Sequence, residues 1–369
     1  MKVLVTGADG FIGKNLCFHL IEQNFQVLSF IRASDSDLLE EFVSQADAIV
    51  HLAGENRPVD PAEFRVSNVG LTKVICDLVR KFKKDVPIIF ASSIQADLEN
   101  PYGLSKLAAE DLLKNLKNDT GIKLSIYRLP GVFGKWCKPN YNSVVATFCN
   151  NIARDLPISI SDPSTKLQLV YIDDVVESFI KFILKPDIFP DLYCNIEKQY
   201  EIRLGELADQ IVSFKSVREN LVIEQVGNGL VRALYATYLS YLPTFDFSYS
   251  LPKYSDERGN FIEILKTKNS GQFSYFTAHP GMTRGGHYHH TKTEKFLVIR
   301  GEAKFKFKHI ATKEIYELTA NSDSLKVVDT IPGWSHDITN IGDDELIVLL
   351  WASEIFDHDR PDTYNVDLD

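Results

Sequence analysis

The stretch Gly281 to Gly301, GMTRGGHYHHTKTEKFLVIRG, decides how the second half of the chain folds. Alternate side chains of a β-strand share a face, so His287 and His289 project together. Glu294 can return to the same interior from the next strand. Two imidazoles and a carboxylate converging this way suit a divalent metal such as zinc, nickel or manganese. His290 also lies within reach of such an ion, and His289 is taken as the ligand ahead of it. Further along, IPGWSHDITN offers His336 as a fourth ligand. The apolar period around these motifs is two. In Lys304-Phe305-Lys306-Phe307-Lys308 the lysines point outward and the phenylalanines inward, as in a half-buried antiparallel strand. Gly, Asn-Ser-Asp and Gly-Asp-Asp turns punctuate such strands, so this half reads as an all-β barrel or jelly roll.

The first half has another rhythm. Lys2 to Thr6 is a short apolar strand, followed by Gly7-Ala8-Asp9-Gly10-Phe11-Ile12-Gly13 and an amphipathic helix. Strand, glycine turn and helix in that order mark a dinucleotide site, with the pyrophosphate at the helix N-terminus. The second strand, Gln26 to Ile31, runs into Arg32. A carboxylate there would bond the ribose 2′-hydroxyl of NAD, whereas an arginine meets the 2′-phosphate of NADP. A third strand leads into His51-Leu52-Ala53-Gly54, whose small residues let a cofactor pass close. Asn68-Val69-Gly70-Leu71-Thr72 is read as opening the next helix. A fourth strand ends in Ser92-Ser93. In NPYGLSK, Asn100 caps a helix, Pro101 takes its first position, and Tyr102 and Lys106 share one face.

At 369 residues, 44% hydrophobic and 11% aromatic, the chain suits two well-packed domains. Tyr241-Leu242-Pro243-Thr244-Phe245-Asp246 is the expected crossing, giving domains 1–243 and 244–369. A net charge of −10 argues against nucleic acid or an anionic membrane as the main partner. Five cysteines, at 17, 76, 137, 149 and 194, show no metal-binding CxxC spacing and read as reduced thiols. With no apolar run long enough to span a bilayer and no signal peptide, a cytoplasmic protein is expected.

The TGxxGxxG turn, the HLAG strand end, the serine pair, YxxxK and RLPGVFG together resemble the extended short-chain dehydrogenase/reductases that act on nucleotide sugars. VYIDDVV at 170–176 matches a later element of that family. The two histidine motifs, with their Pro-Gly…His…Asn ending, resemble the cupin signature. SDERGNFIEI at 255–264 and TRGGHYH at 283–289 are similar to nucleotide-sugar 3- and 5-epimerases of that fold. In this order the two halves resemble a family of bifunctional capsular polysaccharide enzymes, a reductase fused to a metal-binding cupin. The fold so implied is α/β plus all-β: a Rossmann-type doubly wound parallel sheet followed by a cupin β-barrel.

The resemblance also implies chemistry. Tyr102 is the acid that protonates a ketone oxygen as hydride arrives, and Lys106 favours its phenolate and holds the nicotinamide ribose. Ser93, or Ser92, hydrogen-bonds the carbonyl. NADPH contacts are expected at Gly7, Gly10, Phe11, Ile12, Gly13, Arg32, Leu52, Ala53, Tyr102 and Lys106. Dehydratases carry Asp-Glu after the active-site hydroxyl, but Ile94-Gln95 follow Ser93, so net reduction is expected. His287, His289, Glu294 and His336 would hold one divalent ion, expected to be zinc, beside a sugar whose C4 carbonyl acidifies the C3–H. His290, Tyr275 and Tyr288 are candidates for the acid and base. The implied substrate is a UDP-2-acetamido-2,6-dideoxy-hexos-4-ulose, epimerised at C3 and reduced at C4 to UDP-2-acetamido-2,6-dideoxy-L-talose, a precursor of UDP-N-acetyl-L-fucosamine. A homodimer is expected through barrel edges. The competing reading is a reductase of one activity, with the cupin a dimerisation or sugar-binding module and its ion a brace.

Overall fold

The computed structural model describes residues 1–366 apart from 57, 59 and 61. It contains two compact units, Met1–Ile211 with Arg232–Leu242, and Val212–Val231 with Pro243–Asp369. Residues 212–231, which a division at 243/244 leaves with the reductase, cluster with the barrel. There Val222–Ile223 pairs in parallel with Lys266–Thr267, and Lys268 reaches Glu224 at 2.7 Å.

The first unit is built on a six-stranded parallel sheet. Its strands are β1 (Lys2–Thr6), β2 (Gln26–Phe30), β3 (Ala48–His51), β4 (Ile88–Ser93), β5 (Leu124–Leu129) and β6 (Tyr193–Cys194), in the spatial order β2-β1-β3-β4-β5-β6. The order reverses beside β1, which is the switch point where a doubly wound sheet opens a crevice at its carboxyl edge. Val3, Leu4, Val5, Ile49, Val50, Ile88 and Ile89 are fully buried, as continuous apolar strands covered on both faces should be. The helix Pro101–Thr120 begins as its sequence indicates, with the Asn100 side chain accepting the Gly103 N–H at 2.8 Å and Pro101 in the first turn. It stops at Gly121, whose φ of +76° places it in the left-handed region.

One expectation needs correction. Asn68 to Gly70 do not open a helix; they lie inside one. Arg65–Gly70 forms a π-helical turn that runs into the helix Leu71–Lys81. Asn68 is buried within it and bridges two segments, taking the Glu55 N–H at 2.7 Å while giving its amide to Glu55 O and to the Ser105 hydroxyl. A π-turn places a side chain off the regular helical stripe, which is why the sequence period does not announce it.

The second unit is a jelly roll of two facing sheets. One includes Gly259–Thr267, Gly271–Ala278, Leu346–Ala352, Glu294–Arg300 and Val327–Asp329; the other orders Ile315–Asn321, Glu302–His309, Trp334–Asn340, Thr283–Tyr288 and Tyr364–Asn365. Along Glu302–His309 burial alternates as the Lys/Phe pattern requires, with Ala303, Phe305 and Phe307 inside. These meet Phe276, Phe296, Val298, Ile338, Val348 and Leu350 in one apolar core. Burying a phenylalanine or leucine there contributes about 1.5–3 kcal/mol each, so the core is what holds the two sheets together.

Candidate functional sites

The glycine turn of the first unit has the backbone that a dinucleotide needs. Gly7 sits at φ +69°, and a Cβ on it would lie 2.9 Å from the Ala53 nitrogen. A Cβ on Gly13 would lie 2.1 Å from the Gly7 oxygen, so the helix Phe11–Glu22 packs against the turn only because nothing is there. Ala53, on the opposite wall, is fixed by a buried relay. The Thr72 hydroxyl donates to Asn68 O at 2.6 Å, so it can only accept from His51 Nε2, 2.9 Å away. His51 Nδ1 therefore accepts from the Thr6 hydroxyl at 2.7 Å, whose oxygen takes the Ala53 N–H at 3.2 Å. Burial, with Lys106 nearby, pushes His51 down to about 3, so this imidazole stays neutral.

Arg32 lies just beyond β2, with its guanidinium 2.5 Å from a Glu55 carboxylate oxygen. That side chain is 81% exposed and Glu55 only 11%. The Tyr141 hydroxyl, from the loop after Phe133, reaches Glu55 Oε1 at 3.3 Å and Asn56 Oδ1 at 2.9 Å.

The two serines at the end of β4 have different surroundings. Ser92 donates to Glu110 Oε1 at 2.5 Å, and Glu110 also takes Arg128 Nε at 2.9 Å and the Tyr193 hydroxyl at 2.8 Å. Burial pushes the Glu110 carboxyl up, but the bonds from Arg128, Ser92 and Tyr193 outweigh it and leave the group below its ordinary value. Ser92 is thus tied into a structural knot. Ser93 instead lies near enough to the Tyr102 phenol to lower it, and accepts the Gln95 N–H at 3.2 Å. Lys106 is buried, donates to Ala91 O at 3.0 Å, and its ammonium lies 6.0 Å from the Tyr102 ring centre. The expected lowering of the phenol by Lys106 is not found. Burial raises Tyr102, Ser93 lowers it in part, and burial also brings Lys106 down to about 8. A raised phenol keeps its proton through neutral pH, the form in which it can donate.

In the second unit His287, His289, Glu294 and His336 come together, with donor atoms all within 4.8 Å of one another. That is close to twice a metal–ligand bond of about 2.0–2.3 Å. His287 and His336 are direct cross-strand partners on one sheet, while Glu294 opens a strand of the other. A β-bulge between Gly285 and His287 turns the first imidazole inward. Gly285 has φ +119°, and a Cβ there would lie 2.4 Å from the His336 oxygen. His290 stays outside the cluster, exposed and packed against Tyr364 at 4.8 Å between ring centres.

The donor set fits a cation. The Asp362 carbonyl can only accept, so His289 Nδ1, 2.7 Å from it, carries the hydrogen. His289 Nε2 then presents a lone pair to Glu294 Oε2 at 3.1 Å, and His336 Nε2 stands 3.4 Å from the same oxygen. Two acceptors so close require a proton or a metal ion between them. His336 Nδ1 is buried with no hydrogen-bond partner. Burial, then the neighbouring His336, lowers His287 to about 4, leaving it a neutral ligand. Burial acts to raise Glu294, yet the neighbouring His289 and His336 rings hold it well below the carboxylate range.

His287, Glu294 and His336 lie on the wall of a cavity of about 400 Å³ that also exposes Arg258, Arg284, Lys292, Glu263 and Glu354. Arg258 and Arg284 share Asp256, at 2.6 and 3.2 Å. Tyr275, Tyr288 and His290 are not on the cavity's lining. Tyr275 alternates with the buried Ser274 and Phe276, and Tyr288 stacks on Tyr364. Of the residues now seen, Arg258 had a signal in SDERG; Lys292 and Asp362 had none.

Two family models match. One, described as the NAD dependent epimerase/dehydratase family, covers residues 3–193; the other, the polysaccharide biosynthesis C-terminal domain, covers residues 254–364. The chain belongs to the NAD dependent epimerase/dehydratase family, with that second domain following. It is 54% identical over 365 residues to a UDP-2-acetamido-2,6-beta-L-arabino-hexul-4-ose reductase of Pseudomonas aeruginosa, covering 99% of this chain and 98% of the relative. It is similar over all of both chains to the capsular polysaccharide assembling protein CapF of Staphylococcus aureus, with a TM-score of 0.92 and 41% identity. A Thermus thermophilus UDP-glucose 4-epimerase in complex with NAD, 17% identical, covers 65% of this chain and 99% of its own with a TM-score of 0.53, and shares the fold alone.

Proposed function

We propose that this chain is a bifunctional nucleotide-sugar enzyme whose barrel epimerises C3 of a UDP-2-acetamido-2,6-dideoxy-hexos-4-ulose and whose first unit reduces C4. The product is UDP-2-acetamido-2,6-dideoxy-L-talose, a precursor for capsular polysaccharide. The observation that carries this reading is the presence, in one chain, of a Ser93–Tyr102–Lys106 set and a separate four-donor cluster open to a cavity. The full-length likeness to a reductase of such a sugar supports the substrate class.

NADPH, when bound, supplies the hydride that reduces C4. Gly7, Gly10, Phe11, Ile12 and Gly13 would lie along its pyrophosphate, Leu52 and Ala53 beside it, and Arg32 at its 2′-phosphate. Ser93 hydrogen-bonds the ketone oxygen, Tyr102 gives it a proton, and Lys106 holds the ribose. A divalent ion, assigned as zinc on its nitrogen-rich donor set, would be held by His287, His289, Glu294 and His336 and supplies Lewis acidity beside the C3–H. Arg258 and Arg284 stand where an anionic diphosphate would need cations. Among the described residues no helix is long and apolar enough to cross a membrane. We assign the enzyme to the cytoplasm as a homodimer, with the reductase in 1–243, save the stretch 212–231 that clusters with the barrel, and the epimerase in 244–369.

The deciding experiment is NMR of the 4-keto sugar incubated with the enzyme in deuterated water. Deuterium should enter at C3 without NADPH, and reduced sugar should appear only when NADPH is added. Reduction with no exchange at C3 would leave a single-activity reductase.

A further inference from the structure

The segment that closes the barrel runs 353–366, and its contacts converge on the chain between the metal-binding histidines and Glu294. Asp362 is their centre. Its carboxylate accepts the N–H groups of His290 at 3.0 Å, Thr291 at 2.8 Å and Lys292 at 2.8 Å, and the Thr291 hydroxyl at 2.9 Å. Its carbonyl accepts Nδ1–H of His289 at 2.7 Å. Next to it, Thr363 takes the buried Lys292 ammonium at 3.0 Å, and Tyr364–Asn365 pairs with His287–Tyr288.

Asp362 reaches both ways because its backbone stands at φ +30°, a conformation that a non-glycine residue keeps only when its surroundings enforce it. Burial opposes ionisation of its carboxyl, but the three amides and the hydroxyl hold it well below the ordinary range.

We propose that Asp362 is a positioning residue of the metal centre, fixing the His289 ring through its carbonyl and the chain 290–292 through its carboxylate. It is not one of the four clustered donors and does not line the cavity. An acceptor for the far N–H of a ligating imidazole sets the tautomer and aim of the near nitrogen, and loss of such a partner commonly lowers metal affinity by about 10–100-fold. The closing segment is on this view part of the epimerase site. The inference rests on the metal reading given above.

The test is titration of zinc(II) against a competing chelator, with the visible bands of cobalt(II)-loaded protein as a second readout, on the full chain. Asp362→Ala removes every carboxylate contact and frees the backbone that aims the carbonyl. Its zinc affinity should fall about 10–100-fold and its cobalt bands should move, while circular dichroism stays native. Asp362→Asn keeps an acceptor oxygen and should recover part of the affinity. An Asp362→Ala protein with zinc affinity within about twofold of the parent and unchanged cobalt bands overturns the proposal. If Asp362→Ala does not fold, Asp362→Asn is read by the same criteria. A parent chain that binds neither ion sinks the metal reading itself, a result distinct from a parent that binds and a variant that binds equally.

Discussion

Replacing Arg32 by alanine isolates the choice between the two nicotinamide cofactors. The guanidinium follows β2 on the rim of the dinucleotide crevice and is held by Glu55 at 2.5 Å. A charge-assisted bond to a 2′-phosphate contributes about 1.5–3 kcal/mol. Because the Arg32 side chain is 81% exposed, solvent screens that bond and the lower end applies. About 1.4 kcal/mol is a factor of ten, so kcat/KM for NADPH should fall about tenfold. There is a complication. Without Arg32, Glu55, only 11% exposed, loses that partner and keeps the Tyr141 hydroxyl, and any loss of stability that follows is common to both assays. The decisive quantity is therefore the ratio of kcat/KM with NADPH to that with NADH, measured by loss of absorbance on the keto sugar. The parent should favour NADPH, and the ratio should drop about tenfold in Arg32→Ala. A parent with equal preference, or a variant whose ratio is unmoved, would refute the assignment of Arg32 to the phosphate.

Three other outcomes are expected. Tyr102→Phe removes the proton donor and keeps the ring, so NADPH oxidation by the keto sugar should drop by ~10²–10⁴-fold while deuterium exchange at C3 continues; a loss under about tenfold would point to another acid. Glu294→Gln removes the only negative charge among the four ligands, so exchange at C3 should collapse with little change in melting temperature, and persistence of exchange in metal-stripped, folded protein would make the ion a brace. Glu110 has a folded pKa below its unfolded value of 4.5, so its stabilisation is present above that pH and disappears as the pH falls further. Glu110→Gln should therefore flatten the acid limb of a urea-denaturation profile. Near neutrality it should cost ~3 kcal/mol, the low end for breaking a buried ion pair, because Arg128 keeps Asp97 at 2.5 Å. An acid limb as steep as the parent's would rule this out.

What the sequence made legible was local. The strand, glycine turn and helix at 2–22 occupy one short stretch, as do Tyr102 and Lys106 on one helical turn and His287 with His289 on one strand face. In each case a period or a fixed spacing carries the information. The choice between Ser92 and Ser93 was not of that kind. It depends on Glu110 and Arg128, which reach β4 from other elements. The π-turn at Arg65–Gly70 is likewise set by what Asn68 must bridge, and Asp362 meets His289 across 73 positions. Long-range polar contacts leave no periodic trace, so such residues become visible only once the fold brings them together.

The bulge before His287 has a consequence for how this protein can vary. A side chain at Gly285 would collide with the backbone of His336, so any replacement must push apart the two strands that deliver two of the four ligands. Sheet register and ion capture are therefore inherited together. A lineage could shed the epimerase in one substitution at a residue that binds nothing, and to regain it would need the glycine back before any new histidine could help.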